Sequence, residues 1–211
     1  MRILITGASR GIGHSICKKF TSQGHYVYAP DRNELDLSKQ IKLSCCDFDI
    51  IINNAGINIL QSIVDSPINN NIMQVNYFSP LSIIQQCLPH MIQQNYGRII
   101  NIGSIWIEIA KAHRFQYSAS KSALHSLTKS LAVEFSKYNI LSNTVSPGFI
   151  DTDLTKQNNS PEEIKNIISD IPINRLGETD EIAELVYFLS VKNSFMSGQN
   201  IIIDGGYSCS A

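Results

Sequence analysis

The sequence is short of nearly every feature that would tie it to a charged polymer, a membrane or a secreted scaffold. Its 211 residues hold 17 Lys plus Arg against 18 Asp plus Glu, a net charge of −1. There is no basic excess to displace counterions from a nucleic acid and no polybasic run to hold an anionic membrane, so neither is an expected partner. No apolar run approaches the ~20 residues that a membrane-spanning helix requires. The five cysteines (Cys17, Cys45, Cys46, Cys87 and Cys209) are odd in number and irregularly spaced, which suits a reducing compartment better than a disulfide framework. The five histidines (His14, His25, His90, His113 and His125) show no ligand spacing, so no metal site is expected. Met1-Arg2-Ile3-Leu4-Ile5 runs straight into glycine-rich sequence without a signal-peptide core and cleavage site, and a cytoplasmic location is the expectation. Heptads, internal repeats and low-complexity linkers are also missing, so residues 1–211 read as one domain.

What is present is 43% hydrophobic, rich in isoleucine and only 17% charged. Short β-branched runs alternate with amphipathic stretches, the pattern of an α/β fold: a Rossmann-type, doubly wound parallel sheet flanked by helices. The pattern predicts strands at 2–6, 25–29, 49–53, 97–102, 140–145 and 200–204. It predicts helices at 13–23, 68–94, 117–138, 161–170 and 179–191, with Pro80 and Pro89 kinking or dividing the second. The stretch 30–48 leaves room for a turn and one short helix. Residues 148–160, rich in Asp, Thr, Asn and Gln, read as a mobile flap.

Two clusters carry the chemistry. Thr6-Gly7-Ala8-Ser9-Arg10-Gly11-Ile12-Gly13 follows the first strand and opens a helix. Glycines there permit a tight turn and close backbone approach to a pyrophosphate, and a helix N-terminus favours the negative charge. Tyr117-Ser118-Ala119-Ser120-Lys121 puts a phenol and an ammonium four residues apart on one helix face. A phenol near pKa ~10 needs an adjacent cation to act near neutrality. At ~4 Å and an effective dielectric of about 20, Lys121 would supply on the order of 4 kcal/mol, roughly three pK units at most.

The TGxxxGIG spacing of residues 6–13, the Asn53-Asn54-Ala55-Gly56 element and the Tyr117/Lys121 pair together resemble the short-chain dehydrogenase/reductase family. The resemblance continues to the C-terminus: Asn143 with Pro147-Gly148-Phe149-Ile150-Asp151-Thr152, Arg175-Leu176-Gly177, Ser197-Gly198-Gln199 and Asp204-Gly205-Gly206 all fall in family order. It implies an NAD(P)-dependent oxidoreductase acting on a carbonyl or secondary alcohol. The implied catalytic tetrad is Asn76, Ser104, Tyr117 and Lys121. Tyr117 exchanges a proton with the substrate oxygen, Ser104 orients that oxygen, Lys121 holds the ribose, and Asn76 helps hold a water in a proton relay. The implied cofactor contacts are Gly7, Ser9, Arg10, Gly11, Ile12 and Gly13 at the phosphates; Asn54, Ala55 and Gly56 beside the adenosine; and Pro147, Gly148, Ile150 and Thr152 over the nicotinamide. Asp36-Leu37 resembles a pair whose carboxylate reaches the adenine amino group.

The cofactor signals conflict. Asp31 could accept both ribose hydroxyls and would repel a 2′-phosphate, whereas Arg10 and Arg32 could pair with one. The balance leans to NAD. Trp106, Glu108, Lys111, His113 and Arg114, between Ser104 and Tyr117, suggest a polar or anionic substrate such as a sugar derivative or a hydroxy or keto acid. A 3-oxoacyl-carrier-protein reductase is the alternative, weakened because no dense basic patch is available for an acidic carrier. A non-catalytic dinucleotide sensor is the alternative of another class. Family members commonly form homodimers or homotetramers through the two long helices, here 68–94 and 117–138.

Overall fold

The computed structural model describes residues 1–64 and 66–210. Six parallel strands form one sheet in the order β2-β1-β3-β4-β5-β6: β1 (Arg2–Ile5), β2 (Tyr26–Tyr28), β3 (Ile50–Asn53), β4 (Gly97–Ile102), β5 (Ile140–Pro147) and β6 (Asn200–Ile203). The central strands are nearly continuous isoleucine, as expected where a parallel sheet is covered on both faces. Alternation sends Ile3 and Ile5 to one face and Leu4 to the other. On the first face, Ile50, Ile52 and Ile100 join Ile16 and Phe20 of α1 (Gly11–Ser22). On the second, Ile51 and Ile99 meet Ile83, Ile84 and Met91 of a helix from the chain's centre. Each fully buried isoleucine contributes roughly 1.5–3 kcal/mol.

The predicted helix 68–94 is three segments: α2 (Asn70–Met73), a wide i→i+5 turn at Gln74–Phe78, and α3 (Ser79–Gln93). The division falls just before Pro80, which takes the second position of α3, and Pro89 is accommodated inside the helix. The break is the wide turn carrying Asn76, and such turns concentrate at functional sites. The predicted helix 117–138 is α4 (Phe115–Phe135) ending in a tight turn at Ser136–Tyr138. Its packed side carries Ser120, Lys121, His125 and Thr128 as well as Leu124 and Leu131, so its buried stripe is polar as much as apolar.

Between β2 and β3 the expected short helix is absent, and residues 31–49 run as turns. Two aspartates account for this by closing local loops. Asp31 Oδ1 accepts from the Asn33 and Glu34 amides, and Asp36 Oδ1 from the amide and hydroxyl of Ser38. Leu35, Leu37, Ile41 and Leu43 then cover the sheet beside α3, the position a helix would otherwise fill.

The predicted flap 148–160 contains α5 (Asp153–Asn158), capped by Thr152. Its base is fixed by Gly177, whose N–H donates to Phe149 and whose carbonyl accepts from Asp151. Then come α6 (Pro161–Asp170), opened by the reciprocal Ser160/Glu163 cap, and α7 (Thr179–Tyr187), which continues as a second wide turn at Phe188–Lys192. Last is α8 (Tyr207–Ser210), which the sequence pattern does not predict.

Candidate active site

The strand order reverses between β1 and β3, and ligands of open α/β sheets bind at such a crevice, beyond the carboxyl ends of the strands. A cleft of about 640 Å³ lies there. The loops after β1 and β3 interlock at its floor. Asn54 Nδ2 donates to the carbonyls of Thr6 (3.0 Å) and Gly7 (2.9 Å), and the Ala55 amide donates to the Thr6 hydroxyl (3.2 Å). Two glycines are obligatory at this junction. Gly7 has φ +69°, and a Cβ there would stand 2.8 Å from Ala55 Cα; a Cβ on Gly13 would drive into the Gly7 carbonyl oxygen and Asn54 Nδ2. The backbone left bare by these residues, with the uncapped N-terminus of α1 at Arg10, forms a cradle that fits a pyrophosphate. Thr152 closes it from above, its methyl 3.4 Å from where a Gly11 Cβ would lie.

Every tetrad and cofactor residue assigned from the sequence lines this cleft except Asn76, whereas of the loop Trp106, Glu108, Lys111, His113 and Arg114 it is Trp106 and Arg114 that do. The glycine loop (Gly7, Ser9, Arg10, Gly11, Ile12, Gly13), Asn54, Ala55 and Gly56 form the floor. Asp31, Arg32, Asp36 and Leu37 stand at the β2 side; Pro147, Gly148, Ile150 and Thr152 cover it; and Ser104, Tyr117 and Lys121 form the far wall. Asn76 lies behind that wall, 1% exposed, with both atoms of its amide hydrogen-bonded. Its Oδ1 accepts from the Ile57 amide, and its Nδ2 donates to the Ile57 carbonyl and Ser120 Oγ, all at 2.9 Å. The side chain ties the loop after β3 to α4.

Ser104 follows β4 and caps the tight turn Ile105–Ile107 by accepting from the Trp106 amide. Lys121 is buried and donates to the Ile102 carbonyl at 2.7 Å; its Nζ stands 5.7 Å from the Tyr117 ring centre. This corrects the electrostatics expected from the sequence. Tyr117 is not drawn toward neutrality but held above its usual pKa of 10, because burial penalises the phenolate more than the Ser104 hydroxyl and the Arg114 charge favour it. The same burial brings Lys121 down to about 8. Tyr117 is therefore a protonated phenol, and Lys121 a cation anchored to backbone.

The β2 side also differs in detail from expectation. Asp31 spends one carboxylate oxygen on its own turn, the Asn33 and Glu34 amides lying at 2.7 and 3.0 Å, which leaves Oδ2 for a ligand. Asp36 is held down to about 2, first by the Ser38 hydroxyl, and is paired with Lys39 and Arg32. Arg10 and Arg32 are exposed. Arg114, noted in the sequence only as one of several charges in a loop, is buried and lines the cleft. Its burial carries no signal in the linear pattern.

Sheet, glycine loop and switch-point cleft define a dinucleotide-binding α/β protein. Residues 36–208 match the family profile described as enoyl-(acyl carrier protein) reductase, and residues 1–44 that described as short chain dehydrogenase. The 3-oxoacyl-[acyl-carrier-protein] reductase FabG of Buchnera aphidicola is 35% identical over 234 aligned positions, covering 96% of this chain and 95% of that protein. An alignment longer than the chain shows that the relative carries residues this one lacks. The structure of a 4-hydroxyisoleucine dehydrogenase complexed with NADH superposes with a TM-score of 0.88 at 30% identity, covering 100% of this chain and 99% of that one. The Pseudomonas aeruginosa RhlG/NADP complex does so with 0.87 at 29%, covering 98% and 95%. The chain belongs to the short-chain dehydrogenase/reductase family and is an NAD(P)-dependent oxidoreductase.

Proposed function

We propose that the enzyme interconverts a small polar carbonyl compound and its secondary alcohol, with Tyr117 as the general acid and base. The observation that carries this is the convergence of Ser104, Tyr117 and Lys121 on one wall of the cleft whose floor is the glycine loop. When bound, the nicotinamide dinucleotide supplies or takes up the hydride. Ser104 orients the substrate oxygen, and Tyr117, a protonated phenol, delivers the proton to it during reduction. Lys121, fixed by the Ile102 carbonyl, holds the nicotinamide ribose and compensates the phenolate left behind. Asn76 acts one step back, keeping the loop after β3 against Ser120 and so keeping α4 in register.

NAD is the favoured cofactor, because Asp31 keeps one unoccupied carboxylate oxygen at the cleft's β2 side whereas Arg32 on the same side is paired with Asp36. A sugar derivative or a hydroxy or keto acid suits the polar wall. A 3-oxoacyl-carrier-protein substrate is the second reading, favoured by the FabG relatives. We place the enzyme in the cytoplasm, in keeping with five free thiols, and as a homodimer or homotetramer through α3 and α4, in keeping with exposed Phe78 and Val133. Among the described residues no helix is long and apolar enough to cross a membrane.

The test is Tyr117→Phe, which removes the proton and keeps the ring. Turnover of every carbonyl that the wild type accepts should vanish, while cofactor binding, followed by fluorescence, stays within about threefold of wild type, since the lost phenol hydrogen bond is worth only ~0.5 kcal/mol or little more. A variant with near-normal turnover refutes the assignment.

A further inference from the structure

Arg114 stands immediately before α4, three residues ahead of Tyr117, and is 5% exposed. A buried guanidinium is normally paired, because an unpaired charge out of water is costly. The fold contains a control for that rule. Arg98, equally buried, lies over the Tyr96 ring and donates to the carbonyls of Gly97 and Asn139 at 2.8 Å, so it is structural and satisfied at that end.

Arg114 has no such partners. Its guanidinium sits 5.2 Å from the Trp106 ring centre; its Nε, like that of Arg98, is buried without an acceptor, but unlike Arg98 it has no carbonyl partner at its terminal nitrogens among the described residues. Among the described residues it joins none of the ion pairs, and the groups that face it closely enough to bear on its charge are two phenols, Tyr117 and Tyr207. It lines the same cleft as Ser104 and Tyr117.

We infer that Arg114 is the anchor for a carboxylate on the substrate, and that the enzyme's substrates are short oxo acids or the corresponding hydroxy acids. This rests on the reading of Tyr117 as the proton donor. A planar guanidinium offers two parallel N–H donors that match one carboxylate in charge and geometry. A phosphate dianion would call for a second cation, and of the two lysines near this wall Lys121 is already engaged by the Ile102 carbonyl while Lys111 is exposed and lies over the Phe149 ring. Arg114 is the N-cap of α4, three residues before Tyr117, and its charge stands close enough to bear on the Tyr117 phenol. The carboxylate therefore lies only a few bonds from the reacting carbon. A 3-oxoacyl thioester is neutral there and would leave Arg114 unpaired, so the same residue argues against the carrier-protein substrate.

The experiment uses the full-length enzyme with NAD or NADP bound. Calorimetry compares malonate and succinate with their diamides, and an initial-rate assay compares 2-, 3- and 4-oxo acids with their methyl esters. Wild type should bind and turn over the acids at least about tenfold better than the neutral partners, the scale of a charged hydrogen bond. Arg114→Gln should abolish that preference through KM, and Arg114→Lys should restore part of it. Cofactor affinity should not change, and Tm should hold or rise because an unpaired buried charge is gone; a structural arginine would instead lower Tm. Equal treatment of acids and esters by wild type, or a preference that survives Arg114→Gln, overturns the assignment and leaves the Tyr117 reading standing. Tighter binding of methyl phosphate than of malonate overturns the carboxylate. Arg114-dependent binding of acids with no turnover of any carbonyl sinks the Tyr117 reading instead.

Discussion

Replacing Lys121 with Met removes a charge that the fold has taken out of water, and its signature is a slope with pH. Lys121 is 3% exposed, and burial lowers its pKa from 10.5 to about 8. Below about pH 8 the ammonium is protonated in both folded and unfolded chains, and the folded state carries the full penalty of about 3 kcal/mol. Between about pH 8 and 10.5 the unfolded chain binds a proton that the folded one has released, so wild-type stability rises with pH by up to ~1.4 kcal/mol per unit. Met also orphans the Ile102 carbonyl, which now accepts from Nζ at 2.7 Å, at a cost of about 1–3 kcal/mol. That cost does not titrate and cancels from the slope. Urea melts of both proteins without cofactor, from about pH 6.5 to about 9.5, give the comparison. Wild type should gain about 2 kcal/mol on the variant between about pH 8 and 9.5 and nothing below about pH 7. A flat difference would mean that Lys121 is solvated like any surface lysine. A falling one would mean that its charge is stabilised by Tyr117 after all, as the sequence spacing alone suggested.

Two other substitutions test the cofactor end. Gly13→Ala introduces a methyl into the Gly7 carbonyl and Asn54 amide, and should cost about 1–3 kcal/mol in a urea melt together with at least tenfold in dinucleotide Kd; unchanged affinity would show that the glycine loop is not the phosphate cradle. Asp31→Ser keeps a hydroxyl to cap the turn but removes the carboxylate, and should move the NADPH/NADH ratio of kcat/KM at least about tenfold toward NADPH, the effect of relieving one close like-charge contact. An unmoved ratio would assign cofactor choice elsewhere.

Much of this was legible before any coordinates. The isoleucine runs of β1, β3 and β4 read as strands because both faces of a parallel sheet are buried. α6 read correctly at its start because Ser160-Pro161-Glu162-Glu163 is a local capping signal. The Tyr117 and Lys121 spacing was enough to put both residues on one stretch of α4 and, as the structure places them, in one cleft wall. The wide turn at Gln74–Phe78 was hidden, because an i→i+5 bond leaves the hydrophobic pattern of a long helix nearly intact. The segment 31–49 was misjudged because two Asx-type turns replaced the short helix its length allowed.

Sequence alone determined the class of protein, since fold and cofactor loop depend on periodicity and on glycine at fixed spacings, both local properties of the chain. Tertiary structure decided which charges meet. Lys121 turns to the Ile102 carbonyl rather than to Tyr117, Asn76 spends its amide on Ile57 and Ser120, and Arg114 is buried among aromatic rings with nothing to pair it. Electrostatic interactions depend on distance and solvent exposure across elements remote in sequence, and those quantities exist only once the sheet has brought its loops together.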